Sequence, residues 1–342
     1  MTLKEINENI QDTNPKNLKL YFITRSFKEG VNRRSRVMDK YDFQAFHIDI
    51  DDAIRDYLYG STIATITKES NKNMDIVDYC VIAGDIKTIF SYAVENKALS
   101  FMSVLNEQLP NKVSKIDKIE SLVTDNRGLW AYCIGFENEE TNEWIYTFRK
   151  MLRGKATIDD KTGKNVVGKI LRTFFSTKSL KLEPVVGDTI NLDDKVDCIY
   201  CKDKFYVVSK DAFEKILCLE EEYKEEAFSV LEELKKTDMI IGLDILFDKI
   251  KTHPPIHKKL VSISRIGNYR GLNARIVRKM KSVCKKHKVN LNIKDGKLCI
   301  ESDVDIDIVL KMLADYYKTG EVSGKSYGTF AGKEVKVNLN IQ

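Results

Sequence analysis

Residues 189–217 read TINLDDKVDCIYCKDKFYVVSKDAFEKIL, and this stretch decides the fold class. Residues 189–192, 196–201 and 204–208 are short runs rich in β-branched and aromatic side chains. Asp193-Asp194-Lys195 and Lys202-Asp203 lie between them as turn material, which predicts three strands folding back on one another. After Ser209, a good N-cap, the apolar spacing changes to the helical period. Phe213, Ile216, Leu217, Phe228, Leu231 and Leu234 fall on one side of a long Glu-rich segment. The expected fold is α/β of the mixed α+β kind: an antiparallel β meander core, then a mainly helical C-terminal portion with a terminal hairpin and strand.

Working upstream, residues 18–24 and 43–50 predict strands, and Asp51 and Asp52 open a helix that Gly60 should stop. Residues 1–17 read as a loosely held helix or frayed tail. Residues 74–83 predict a strand, and 85–109 two helical stretches closed by Pro110. Residues 129–136 and 144–151, rich in aromatics, predict a hairpin around the acidic loop ENEETN, and residues 166–175 resume the sheet. Downstream, helices are expected over 213–236, 239–250, 257–266, 272–287 and 304–317. Asp295-Gly296 marks a type I′ turn between strands 288–293 and 297–301, and 334–341 alternates as a last strand. The expected division is an N-terminal mixed α/β region, 1–110, followed by 111–342, β-rich to residue 210 and helical with small β elements from 211.

The 342 residues are 43% apolar and 31% charged, with a formal net charge of +5, the composition of a soluble globular protein. Seven cysteines, an odd number without framework spacing, fit a reducing compartment. The polar, acidic start is unlike a signal peptide, and no apolar run approaches the roughly 20 residues of a membrane span. The expected location is cytoplasmic, with any membrane association passing through a partner.

Val196, Asp197, Ile199 and Tyr200, then Phe205 to Val208, then Phe213, Glu214 and Ile216, carry a resemblance. So do His257, Lys258, Lys259 and Leu260 leading into Gly267-Asn268-Tyr269, and Leu313 to Tyr317 leading into Gly324-Lys325-Ser326-Tyr327. In this order the residues are similar to the Kiwa KwaB-like domain of bacterial anti-phage defence, over about residues 112–336. The resemblance implies a DNA-binding protein that acts as a homodimer with a small membrane protein, KwaA, and is recruited through it to the inner membrane.

Residues 249–294 form a physical anomaly of their own, with fourteen Lys or Arg and no Asp or Glu. Mixed helices normally intersperse acids for i,i+4 pairing. Within 272–287, Leu272, Ile276, Met280, Val283 and Cys284 make one apolar face, leaving Arg275, Arg278, Lys279, Lys281, Lys285 and Lys286 on the others. A polyanion complements such a surface, because each cation near a phosphate releases a condensed counterion. The expected nucleic-acid contacts are Lys258, Lys259, Arg265, Tyr269, Arg270, Arg275, Arg278, Lys279, Lys285 and Lys286, with Asn268 and Asn273 as further hydrogen-bonding groups. The competing reading is a solvated face that balances the acidic helix containing Glu214 and Glu233. Arg33, Arg34 and Arg36, beside Arg25 and Lys28, form a second basic cluster; Arg149 and Arg153, with Lys150 and Lys155, form a third.

Cys198 and Cys201 have CxxC spacing and His253 and His257 HxxxH spacing, but the interval between the pairs is far longer than in a compact zinc finger. No metal ligand, cofactor or catalytic residue is assigned. A metal-dependent nuclease remains the alternative activity, with Asp193, Asp194 and Asp197 as its least unsuitable acids. A non-catalytic scaffold whose basic face meets acidic protein or lipid headgroups is the third reading. GxxxxGK[ST], GxGxxG and GxSxG are all missing from the sequence.

Overall fold

In the computed structural model, two runs of the central stretch are strands, Cys198–Cys201 and Lys204–Val207. Lys202 and Asp203 between them both take positive φ, 49° and 58°, as a two-residue type I′ turn requires. Two strands of the expected meander and the turn between them are therefore present, and each strand has a further partner from elsewhere in the chain. Cys198–Cys201 pairs antiparallel with Glu143–Lys150, whereas Lys204–Val207 pairs antiparallel with Thr88–Ala93. Of the first expected strand, 189–191 lie outside the described residues and Leu192 is coil. The structure describes residues 1–31, 40–82, 88–94, 100–111, 113–115, 127–151, 156–158, 165–167, 173–176, 181–184 and 192–329.

The chain divides into two units drawn from interleaved segments, Met1–Ser26, Phe43–Asn73 and Ser103–Asp203 in one, Phe27–Asp42, Met74–Met102 and Lys204–Gln342 in the other. In the first, the strand order is Cys198–Cys201, Glu143–Lys150, Arg127–Asn138, Lys19–Phe27, Tyr41–Ile48, Ser114–Lys115. Arg127–Asn138 is central and antiparallel to both neighbours, and buries Ala131, Tyr132, Cys133, Ile134 and Phe136. Such a strand is buried on both faces, so its apolar residues run consecutively. Ala156–Ile158 pairs with Asn165–Val167 and Thr173–Ser176 with Lys181–Pro184, so the single strand expected over 166–175 is divided.

Among the described residues, two α-helices belong to this unit. Helix α1, Leu3–Gln11, is a packed helix and not a frayed tail: Thr2 and Glu5 form a capping box, and Leu3, Ile6 and Ile10 are buried. Helix α2, Asp52–Ser70, starts at the Asp51 cap as expected but runs through Gly60. One glycine costs a helix only about 1 kcal/mol, and the buried stripe Leu58, Thr62, Ile66 continues on either side. A β-carbon at Gly60 would meet nothing within 4 Å. Gly60→Ala should therefore raise stability by about 0.5–1 kcal/mol, read as a higher urea midpoint at unchanged slope.

The second unit places Asp75–Asp78, Thr88–Ala93 and Lys204–Val207 side by side, the first two parallel. Thr88–Ala93 corrects the helical expectation for 85–109; its sequence, TIFSYA, is β-branched and aromatic. The later part of that range holds a short π-helical turn, Val104–Gln108, which belongs to the first unit. Six helices follow: α3 Lys210–Ile216, α4 Leu219–Lys236, α5 Leu243–Thr252, α6 Pro254–Ile266, α7 Ala274–Lys286 and α8 Asp303–Leu313. Helices α3 and α4 were expected as one, but Cys218, at φ 57°, breaks the path. Leu231, Leu234, Leu246, Ile250, Leu260, Ile263, Leu310 and Leu313, each under 2% exposed, join these helices in one core. Each such side chain contributes roughly 1.5–3 kcal/mol. Ile293–Lys294 and Lys297–Cys299 flank Asp295 and Gly296, both at positive φ, as the turn signal predicts. A last hairpin pairs Tyr317–Thr319 with Ser326–Gly328. The strand expected at 334–341 lies outside the described residues.

Candidate nucleic-acid interface

Helix α7 begins where the Asn273 side chain accepts from the backbone N–H of Arg275 (2.9 Å) and Ile276 (3.1 Å). Its buried stripe is Val277, Met280 and Cys284, with Ile276 and Val283 half-buried beside them. Val277, absent from the sequence-derived face, therefore shifts the stripe's centre. Arg275, Arg278, Lys279, Lys281, Lys285 and Lys286 are all exposed. At 100° per residue they occupy one arc opposite the stripe and extend about 16 Å along the axis. Lys281, left out of the expected contact set, lies on the same arc; its spacing of three from Arg278 and four from Lys285 is the signal that identifies it.

No described carboxylate pairs with any of these six. Arg278 Nε donates to the Ala274 carbonyl at 3.2 Å. The first turn has no acidic residue, so Arg275 and Arg278 stand against the positive end of the helix dipole. This arrangement is unfavourable in the isolated molecule and favourable once an anion lies across the helix.

The cations of α5, α6 and the loop after α6 are placed differently. Lys249 pairs with Asp303 (2.6 Å), Lys251 with Asp248 (2.6 Å), Lys258 with Glu214 (2.5 Å) and Lys259 with Asp307 (2.8 Å). Arg265 donates to the Tyr79 carbonyl at 3.1 Å, and Arg270, 63% exposed on its side chain, reaches Glu233 at 3.5 Å. Tyr269 is 2% exposed and has no face to offer a base. Burial alone would raise the Asp307 carboxyl, but the bonds from Lys259 and Lys311 outweigh it and hold the group below its ordinary value. Glu214 also accepts from Tyr79 Oη at 2.6 Å, and Tyr79 shares a 2.7 Å bond with Tyr223. Burial pushes both phenols far above their ordinary range. The acid-free span is thus not acid-free in space, and most of its cations without a described carboxylate partner are on α7.

Of the other basic clusters, Arg33, Arg34, Arg36 and Arg153 lie outside the described residues. Arg149 turns inward, its side chain 13% exposed. Its Nε and Nη2 donate to Asp193 at 2.8 and 2.7 Å, and its Nη1 to Asp197 at 2.7 Å. Asp197 also accepts from the Lys150 backbone N–H at 2.7 Å, and Tyr132 Oη donates to the Asp193 carbonyl at 2.7 Å. Desolvation alone would raise the Asp193 carboxyl, but the paired Arg149 bonds hold it below its ordinary value. Desolvation raises the deeper Asp197 despite the same guanidinium. Two of the three acids suited to a metal-dependent nuclease are therefore bound to one arginine. Among the described residues, no three His, Cys, Asp or Glu side chains gather as a metal-holding group.

A family model described as Kiwa protein KwaB-like matches residues 126–323, more than half of the chain. The chain belongs to the Kiwa KwaB-like family. The KwaB-like region contains Arg149, Asp193 and Asp197 as well as all of α3 to α8. Membership implies a component of the Kiwa anti-phage defence system and, with it, a KwaA-type partner. Searches of curated proteins and of solved structures gave no match for this KwaB-like chain. Among its described residues no helix is long and apolar enough to cross a membrane.

Proposed function

We propose that this KwaB-like protein is the DNA-binding component of a Kiwa-type defence system. It grips phage DNA through the outer face of α7 with little sequence preference, and it works as a cytoplasmic homodimer recruited to the inner membrane by KwaA. The observation that carries this reading is the row of six exposed cations on one helix face, none of them paired with a described carboxylate. Cations spread in a row along one helix face follow a line of phosphates, which carry no sequence information, so affinity from such contacts comes with weak discrimination.

Six phosphate contacts give a slope of log affinity against log salt near −5, about 0.9 per contact. Titration of labelled DNA of unrelated sequences across a salt series should show that slope, with similar affinities for all. Affinity that does not change with salt would exclude the α7 reading. Cleavage in the arm containing Mg²⁺ would favour the nuclease, and binding to acidic protein or lipid but not DNA would favour the scaffold. Light scattering on the same samples reads the dimer.

A further inference from the structure

The hairpin that follows α8 carries a second set of groups suited to nucleic acid. Tyr317–Thr319 and Ser326–Gly328 pair with Lys318 opposite Tyr327. The hairpin is fixed beside the C-terminal turn of α7. His287, the residue that ends α7, lies 5.5 Å from Tyr317 between ring centroids, and Tyr317 meets Tyr316 edge-on at 5.3 Å. The last cations of the α7 face, Lys285 and Lys286, immediately precede His287.

Two glycines set the tyrosines. A β-carbon on Gly328 would lie 2.5–2.7 Å from atoms of the Tyr316 side chain, and one on Gly320 would lie 2.9 Å from Cε2 of Tyr327. Each ring therefore occupies space that any side chain larger than glycine at these positions would need. Tyr327 is 51% exposed, and its hydroxyl is within 3.2 Å of the Ser323 hydroxyl, which anchors the rim of the ring. Lys318 and Lys325 are exposed on the same hairpin, against the single carboxylate Glu321. Lys311 Nζ sits 5.1 Å from the Tyr316 centroid.

A ring half-exposed to solvent, crowded along one edge by Gly320 and tied through its hydroxyl to Ser323, is set before any ligand arrives, as stacking on a nucleobase requires. The neighbouring ammonium groups supply the charge that keeps a phosphate backbone close. We propose that Tyr327 is a stacking platform for an unpaired base of the strand whose phosphates α7 holds, so that the protein prefers nucleic acid with single-stranded segments over continuous duplex. This rests on the nucleic-acid reading of α7 and adds to it the state of the bases.

The test measures anisotropy of three fluorescein-labelled probes of about 20 units each: an oligothymidylate, an abasic strand of the same length, and a duplex. Wild-type protein should bind the oligothymidylate about tenfold tighter than either of the others. Tyr327→Ala should remove that advantage while leaving the abasic and duplex affinities unchanged. Tyr327→Phe should retain it, and Tyr327→Trp should add quenching of tryptophan emission by the oligothymidylate and not by the abasic strand. Unchanged oligothymidylate affinity in Tyr327→Ala, or no quenching in Tyr327→Trp, would overturn the platform while salt-dependent binding to all three probes keeps the α7 reading. Wild-type protein that bound none of the probes would remove both.

Discussion

Replacing Arg149 with methionine should cost the fold about 3–5 kcal/mol, the penalty for breaking a buried ion pair from one side. The variant keeps the aliphatic bulk, so the effect isolates the guanidinium. Without it, Asp197, 2% exposed, keeps only the Lys150 N–H, and Asp193 loses both of its guanidinium bonds. At about 2–4 °C per kcal/mol, the melting temperature falls by roughly 10 °C. The double variant Arg149→Met/Asp197→Asn should recover part of that loss, because an amide tolerates a buried site without a counter-charge better than a carboxylate does. DNA affinity measured well below the transition should match wild type. A stable Arg149→Met variant with weakened DNA binding would instead make Arg149 part of the binding surface, as its position in a basic cluster of the sequence suggests.

What could be read from the sequence depended on whether the deciding partner was close in the chain. The Asp295-Gly296 and Lys202-Asp203 turns were legible because positive φ is a local matter. The aromatic strands Arg127–Asn138 and Glu143–Lys150 were legible because their composition leaves few other uses for them. Pairing between distant strands was not: one partner of Cys198–Cys201 lies some fifty residues back, and Thr88–Ala93 becomes a strand by lying against Lys204–Val207. The interleaving of the two units has no compositional mark, since four of its five crossings fall near the ends of ordinary strands. In the interface, the missing acids of 249–294 were visible, but their replacements were not. Glu214, Glu233, Asp303 and Asp307 come from flanking elements, and only the fold shows that they reach α6, α5 and Arg270 but not α7.

The same division separates binding from stability in α7. Arg275→Ala/Arg278→Ala/Lys279→Ala removes three exposed cations that pair with no described carboxylate, so no buried contact is lost. Surface changes of this kind usually shift stability by less than about 0.5 kcal/mol each. Here two terms favour the variant: alanine has the highest helix propensity, and removing Arg275 and Arg278 relieves their repulsion from the helix N-terminus. The triple variant should melt at the wild-type temperature or slightly above. Its DNA binding should fall by roughly two orders of magnitude at ~0.1 M salt, equally for unrelated sequences, and its salt slope should drop by about three units. Charge-preserving Arg275→Lys/Arg278→Lys should retain most of the affinity, since a phosphate contact needs a cation more than a particular fork. An early-melting triple variant would show that these side chains belong to the packing. One that melts normally and still binds DNA with an undiminished slope would place the phosphate surface on another part of the chain, with Arg33, Arg34 and Arg36 the next basic cluster to replace.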